Sequence, residues 1–131
     1  MEKTKESVVK KTDKSRIISL EKGKIPPQAV ELEEAVLGAM MIDKKGIDDV
    51  IDVLSADAFY DQKHNEVYAV IYELFQNSEP IDLLTVSNLL KKKGKLEFVG
   101  GDLYLIRLTQ KVASSAHIEF HARIILQKYI Q

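Results

Sequence analysis

Apolar residues recur at helical spacing through most of this 131-residue chain, and the pattern starts abruptly. After Pro26-Pro27, the residues Val30, Leu32, Val36, Leu37, Met40 and Met41 return at the steps of an amphipathic helix. Proline suits the first helical position, because its missing N–H would have no partner there. Glu31, Glu33 and Glu34 load the first turns, where the helix dipole favours anions. Gly38 sits inside the helix at a cost of about 1 kcal/mol against Ala, which close approach by a neighbouring helix would explain. Leu32, Val36 and Met40 are expected in the core. Met41 and Ile42 make the end of the helix apolar on a second side, facing either the core or a neighbour.

Asp43-Lys44-Lys45-Gly46 interrupts the pattern, and Ile47, Val50, Ile51 and Leu54 then mark a short second helix. Asp61 is placed to cap a third, which carries His64, Val67, Tyr68, Ile71, Leu74 and Phe75 on one stripe. "NSEPID" reads as a loop, and Asp82 caps a fourth helix with Leu83, Val86, Leu89 and Leu90 inward. Lys91-Lys92-Lys93-Gly94 ends that helix with cations against the dipole's negative end and then a glycine. "KLEFVGGD" reads as a connector whose Gly100-Gly101 turn aims a fifth helix, Leu103 to Lys111. "VASSA", with Ser114 and Ser115 as caps, leads into a sixth. No segment alternates as a strand does. The predicted class is all-α, a compact bundle of about six helices.

Charge divides the chain. Residues 1–24 carry eight Lys/Arg against four Asp/Glu, and residues 25–131 carry eleven against sixteen; the balances of +4 and −5 give the net −1. The leader has Val8, Val9, Ile17, Ile18 and Leu20 as nearly all its large apolar groups. These are too few to offset ordering costs of about 1–2 kcal/mol per residue, so 1–24 is expected as a disordered basic leader. The acidic body is a poor match for a phosphate backbone. That counts against a small helical DNA-binding regulator, which would need a basic recognition helix. The absence of Cys excludes disulfides and thiolate zinc sites. No apolar run approaches the roughly 20 residues of a membrane span, and the N-terminus lacks the apolar stretch of a secretory signal. A cytoplasmic location without membrane contact is expected.

Candidate chemistry adds little. Gly94 and Gly100 do not have P-loop spacing, and Gly101 is followed by Asp102, so no phosphate cradle is predicted. His117 and His121 in "HIEFH" lie one turn apart, but Glu119 is one place off the zincin pattern and no third ligand is evident. A metal-dependent hydrolase would rest on that pair alone. Ser114 and Ser115 precede His117 without implying the geometry of a nucleophile and its base. Asp48 and Asp49 read as solvated, and "KKKGK" (91–95) already has a structural reason to be basic. No catalytic, cofactor-binding or metal-ligating residue is assigned.

The informative feature is apolar surplus, and the last helix carries most of it. Ile118, Ala122, Ile125, Leu126 and Tyr129 form one stripe, while Phe120 and Ile124 lie on another side. Such a stripe can receive another helix, ridges into grooves. It is expected to face a partner rather than the core.

Five ordered blocks carry a resemblance: "PPQAVELEEAVLGAMMID", "FYDQKHNEVYAVI", "PIDLLTVSNLL", "VGGDLYLIRL" and "SSAHIEFHARII". Together they resemble the N-terminal domain of bacterial replicative helicases of the DnaB family, over about residues 26–131. The family pattern has Asn where His117 stands, and commonly Thr-Pro where this chain has Val112-Ala113. The resemblance implies that residues 25–131 are the N-terminal domain of a hexameric, ATP-driven helicase, ending within the first arm of a long helical hairpin. Hairpins would pair subunits into a trimer of dimers, and the collar so formed would dock primase and a helicase loader. ATP and Mg belong to a motor domain outside this chain, as does DNA translocation; the fragment itself is expected to hold no cofactor and to have no catalytic activity. An aromatic at the "GG-x-x-Y-L" position, here Tyr104, resembles part of the subunit or primase contact. It reads equally as a core ring whose hydroxyl is satisfied locally, and both readings are open. The helicase-binding domain of a primase, which is similar in fold, is the closest rival.

Overall fold

The computed structural model describes residues 27–111 and 117–130. Its helices are α1 (Pro27–Ile42), α2 (Lys44–Ile51), α3 (Gln62–Gln76), α4 (Leu83–Lys92), α5 (Leu96–Val99), α6 (Gly101–Gln110) and α7 (Ile118–Tyr129). One turn of 3-10 helix, Ala56–Ala58, lies between α2 and α3. The described residues contain no strand, and the domain is all-α. Among the described residues there are seven α-helices rather than about six, because Leu96–Val99, read as a connector, closes a helical turn of its own. The basic leader and the expected Ser114-Ser115 caps lie outside the described residues.

Short-range side-chain contacts set the helix starts. The Asp43 side chain accepts the Lys45 N–H at 3.0 Å and the Asp61 side chain accepts the Lys63 N–H at 2.9 Å. Asp82 and Thr85 exchange bonds, each backbone N–H donating to the other's side chain at 2.9 Å. This is a capping box, which satisfies donors that helix geometry leaves unpaired. At the other end of α4, Gly94 turns to φ +73° and the Lys95 N–H donates to the Leu90 carbonyl at 2.8 Å. Between α1 and α2 the expected break shrinks to Asp43 alone. Its cap restarts the helix at once, so Lys44, Lys45 and Gly46 are already helical.

The sequence's apolar surplus in α1 has a packing cause. Helix α1 touches α2, α3, α6 and α7, and Val36, Leu37, Ala39 and Met40 are fully buried. A helix covered on several sides is apolar on several sides. Its end divides: Met41 joins the core and Ile42 is exposed. Leu32 is partly buried against the same cluster.

Helix α3 turns His64, Val67, Tyr68, Ile71 and Leu74 inward, whereas Phe75 sits at the surface. The buried Tyr68 hydroxyl donates to the Leu54 carbonyl at 2.5 Å. Burial pushes that hydroxyl well above the ordinary tyrosine pKa. The Asn65 amide donates to the carbonyls of Ala56 and Phe59, pinning the 3-10 turn to α3. On α4, Val86 and Leu90 are fully buried while Leu83 and Leu89 are half-buried.

Candidate interaction surface

Helix α7 folds back over α1 and α2. Ile118, Ala122 and Ile125 are only 1%, 0% and 4% exposed. This corrects the expectation that the stripe faces a partner. The surplus on α1 is the receiving surface, so three positions of the stripe close the domain's own core. Leu126 is half-buried at the margin. Tyr129 is half-exposed, Phe120 is exposed on the opposite side of α7, and Ile130 is exposed just after the helix. Arg123 donates to Glu119 at 2.9 Å on the same helix, an i,i+4 pair in solvent.

Helix α6 has the same two-sidedness. Leu105 and Leu108 are fully buried, whereas Leu103 is 81% exposed and Ile106 also reaches the surface. Two left-handed glycines, Gly100 at φ +113° and Gly101 at φ +74°, start the helix. A Cβ on Gly100 would lie 2.8 Å from the Cβ of Tyr104, so the turn can close only without a side chain.

Tyr104 sits behind the outer face of α6. Its ring packs against the core, its hydroxyl donates to Glu34 Oε2 at 2.9 Å, and His64 Nε2 lies 2.7 Å from the same oxygen. Of the two readings open in the sequence, this geometry fits the core ring with a locally satisfied hydroxyl. Burial and the bond to Glu34 raise its pKa well beyond the ordinary tyrosine range.

The sequence places Glu33 and Glu34 in the first turns of α1, where the helix dipole favours anions. They are 3% and 6% exposed. Glu33 accepts the backbone N–H of Tyr60 at 2.7 Å and lies 2.6 Å from His64 Nδ1. Lys111 reaches Glu34 Oε1 at 3.5 Å. The only hint in the sequence was His64, a titratable residue set within an apolar helical stripe.

The remaining candidates are spread over the surface. Asp48 is exposed, and Asp49 pairs with Lys45 at 3.5 Å. Lys93 and Lys95 of "KKKGK" reach Glu73 and Glu66 at 2.9 and 3.5 Å. The rings of His117 and His121 stand 6.4 Å apart. Among the described residues no group of three or more His, Asp or Glu is placed to hold a metal. An open groove is lined by Met41, Ile47 and Phe75 and by Asp43, Asp48, Glu79 and Asp82, with Lys44 as the one cation in its lining. Four carboxylates against one ammonium disfavour a phosphate there. What the outer faces of α6 and α7 offer is burial of apolar side chains against a partner.

The profile of the DnaB-like helicase N-terminal domain matches residues 25–127. The chain belongs to this family. It is similar to the replicative DNA helicase DnaB of Rhodothermus marinus, at 47% identity over 83% of this chain and 12% of that protein. The DnaB of Treponema pallidum is 38% identical over 79% of the chain and 24% of its own length. The chain thus spans between an eighth and a quarter of these curated relatives. The N-terminal domain of DnaB helicase from Mycobacterium tuberculosis superposes with a TM-score of 0.77 at 36% identity, covering 81% of this chain and 76% of that one. DnaB-family membership sets aside the primase-domain, DNA-binding-regulator and hydrolase readings. The Val112-Ala113 departure from the family pattern lies outside the described residues.

Proposed function

We propose that this DnaB-family domain is the collar of a hexameric replicative DNA helicase. It pairs subunits into a trimer of dimers and docks primase and the helicase loader. DNA unwinding is the work of an ATP- and Mg-dependent motor beyond this chain, at the replication fork in the cytoplasm. The observation that supports the reading is a closed core with apolar side chains left outward: Leu103 on α6, and Phe120, Tyr129 and Ile130 on or just after α7. Tyr129 and the margin residue Leu126 stay within the proposed contact. The buried Ile118, Ala122 and Ile125, and the hydroxyl-paired Tyr104, act beneath it as support. No helix among the described residues is long and apolar enough to cross a membrane.

The test places Leu103→Asp and Phe120→Asp separately in the full-length helicase. Assembly is followed by sedimentation velocity and primase binding by calorimetry. Each variant is expected to keep its helical circular dichroism and to lose pairing or primase affinity by at least tenfold, about 1.4 kcal/mol. Wild-type assembly and wild-type primase affinity in both variants would overturn the proposal.

A further inference from the structure

Behind the outer face of α6, four side chains from three helices join in an unbroken line. Glu33 Oε1 lies 2.6 Å from His64 Nδ1, His64 Nε2 lies 2.7 Å from Tyr104 Oη, and Tyr104 Oη lies 2.9 Å from Glu34 Oε2. His64 is fully buried and both glutamates nearly so. Each contact brings together two lone-pair-bearing atoms at hydrogen-bond distance, so each requires a proton between them. Three contacts require three protons. A neutral tyrosine supplies one and a neutral imidazole one, while two ionised carboxylates supply none. We infer that Glu33, His64, Tyr104 and Glu34 form a buried binding site for one further proton, which the chain takes up when it folds.

The surroundings say where that proton rests. Glu33 also accepts the backbone N–H groups of Tyr60 and Asp61, at 2.7 and 3.4 Å. Glu34 Oε1 faces the Lys111 ammonium at 3.5 Å. Both carboxylates thus already have donors of their own, and an N–H on each ring nitrogen of His64 completes the line. Tyr104 then accepts from His64 and donates to Glu34. Two carboxylates, one imidazolium and Lys111 sum to zero charge. The other charged groups facing the site are Lys63 of α3, 4.4 Å from the Tyr104 ring centroid, Arg107 of α6, and Asp61 at the start of α3. The two cations oppose the proton and Asp61 favours it.

The site makes folding proton-linked. In the unfolded chain, carboxylates titrate near 4.3 and imidazole near 6.5, so above about pH 7 the further proton is absent. The unfolded state then binds fewer protons than the folded one, and stability falls as pH rises. One proton corresponds to about a tenfold loss in the folding constant per pH unit. Tyr104→Phe removes the middle of the line. The remaining Glu33–His64 contact needs a single proton, which a neutral imidazole supplies, so the uptake should disappear.

The experiment compares urea unfolding of the whole chain and of Tyr104→Phe at pH 7, 8 and 9. It is paired with ¹⁵N NMR of the His64 ring, assigned by elimination with His117→Gln and His121→Gln. The expected result is a folding constant that falls about tenfold more per pH unit in the wild type than in the variant, with both His64 nitrogens protonated at pH 7.5. Parallel pH slopes, or a neutral imidazole tautomer at pH 7.5, would overturn the inference. If Tyr104→Phe does not fold, the ring nitrogen shifts of the wild-type chain decide alone.

Discussion

Ile125 tests whether α7 belongs to the core or to a partner. Its side chain is 4% exposed and clusters with the buried residues of α1 and α2. Truncation to Ala removes three methyl or methylene groups from a packed site and leaves a cavity that neighbouring helices fill only in part. Substitutions of this kind cost about 2–5 kcal/mol. A domain of this size has roughly 5–15 kcal/mol of stability to lose, so Ile125→Ala should fold with a clearly lowered urea midpoint. Ile125→Asp loses the same packing and also places an ionised carboxylate where burial is favourable only for a paired charge. It should detach α7 or unfold the domain. Urea unfolding followed by circular dichroism gives the midpoints, and hydrogen exchange of the α7 amides separates detachment from global unfolding. Tyr129→Ala is the control on the same helix. That side chain is half-exposed, and the change should stay within about 1 kcal/mol. An Ile125→Asp variant with a wild-type midpoint and protected α7 amides would refute the packing described here. The stripe would then be a partner surface.

Further outcomes follow from the helix ends and the buried hydroxyls. Ser78 ends α3 in the left-handed region at φ +56°, so Ser78→Gly should stabilise by about 1 kcal/mol; a lowered thermal midpoint would contradict this. Asp82→Ala removes the side-chain acceptor of the α4 capping box and should cost about 0.5–2 kcal/mol, with hydrogen exchange accelerated first in the opening turn of α4. Burial raises the Tyr68 and Tyr104 hydroxyls, so the folded chain keeps protons that the unfolded chain releases near pH 10. The unfolded state binds fewer protons there, and stability should fall as pH rises past about 10, less steeply in Tyr68→Phe. A urea midpoint constant between pH 9.5 and 11 would count against that burial.

What was legible in the sequence was local. Asp61 and Asp82 mark helix starts because a cap reaches only two or three residues along its own chain. Gly94 marks a helix end because a left-handed residue there needs no distant partner. Apolar periodicity identified His64, Val67, Tyr68, Ile71 and Leu74 of α3 and Val86 and Leu90 of α4 for the same reason, since one helix's geometry sets its spacing, but it also placed the exposed Phe75 inward. The five ordered blocks carried the family in the same way, as residues in sequence order.

What only the tertiary structure decided was which surface covers which. The α7 stripe and the α1 surplus are each compatible with a partner or with the core. Their mutual burial appears only when the chain brings residues 27–42 and 118–129 together. The polar line from Glu33 to Glu34 was hidden for a related reason. Its members are 31, 40 and 70 positions apart along the chain. An isolated Glu in a charged stretch is solvated unless a distant donor meets it, and the donors come from α3 and α6. Sequence pattern states how much apolar surface a helix must hide. The packing of one helix against another determines where that surface goes, and which charges are carried inside with it.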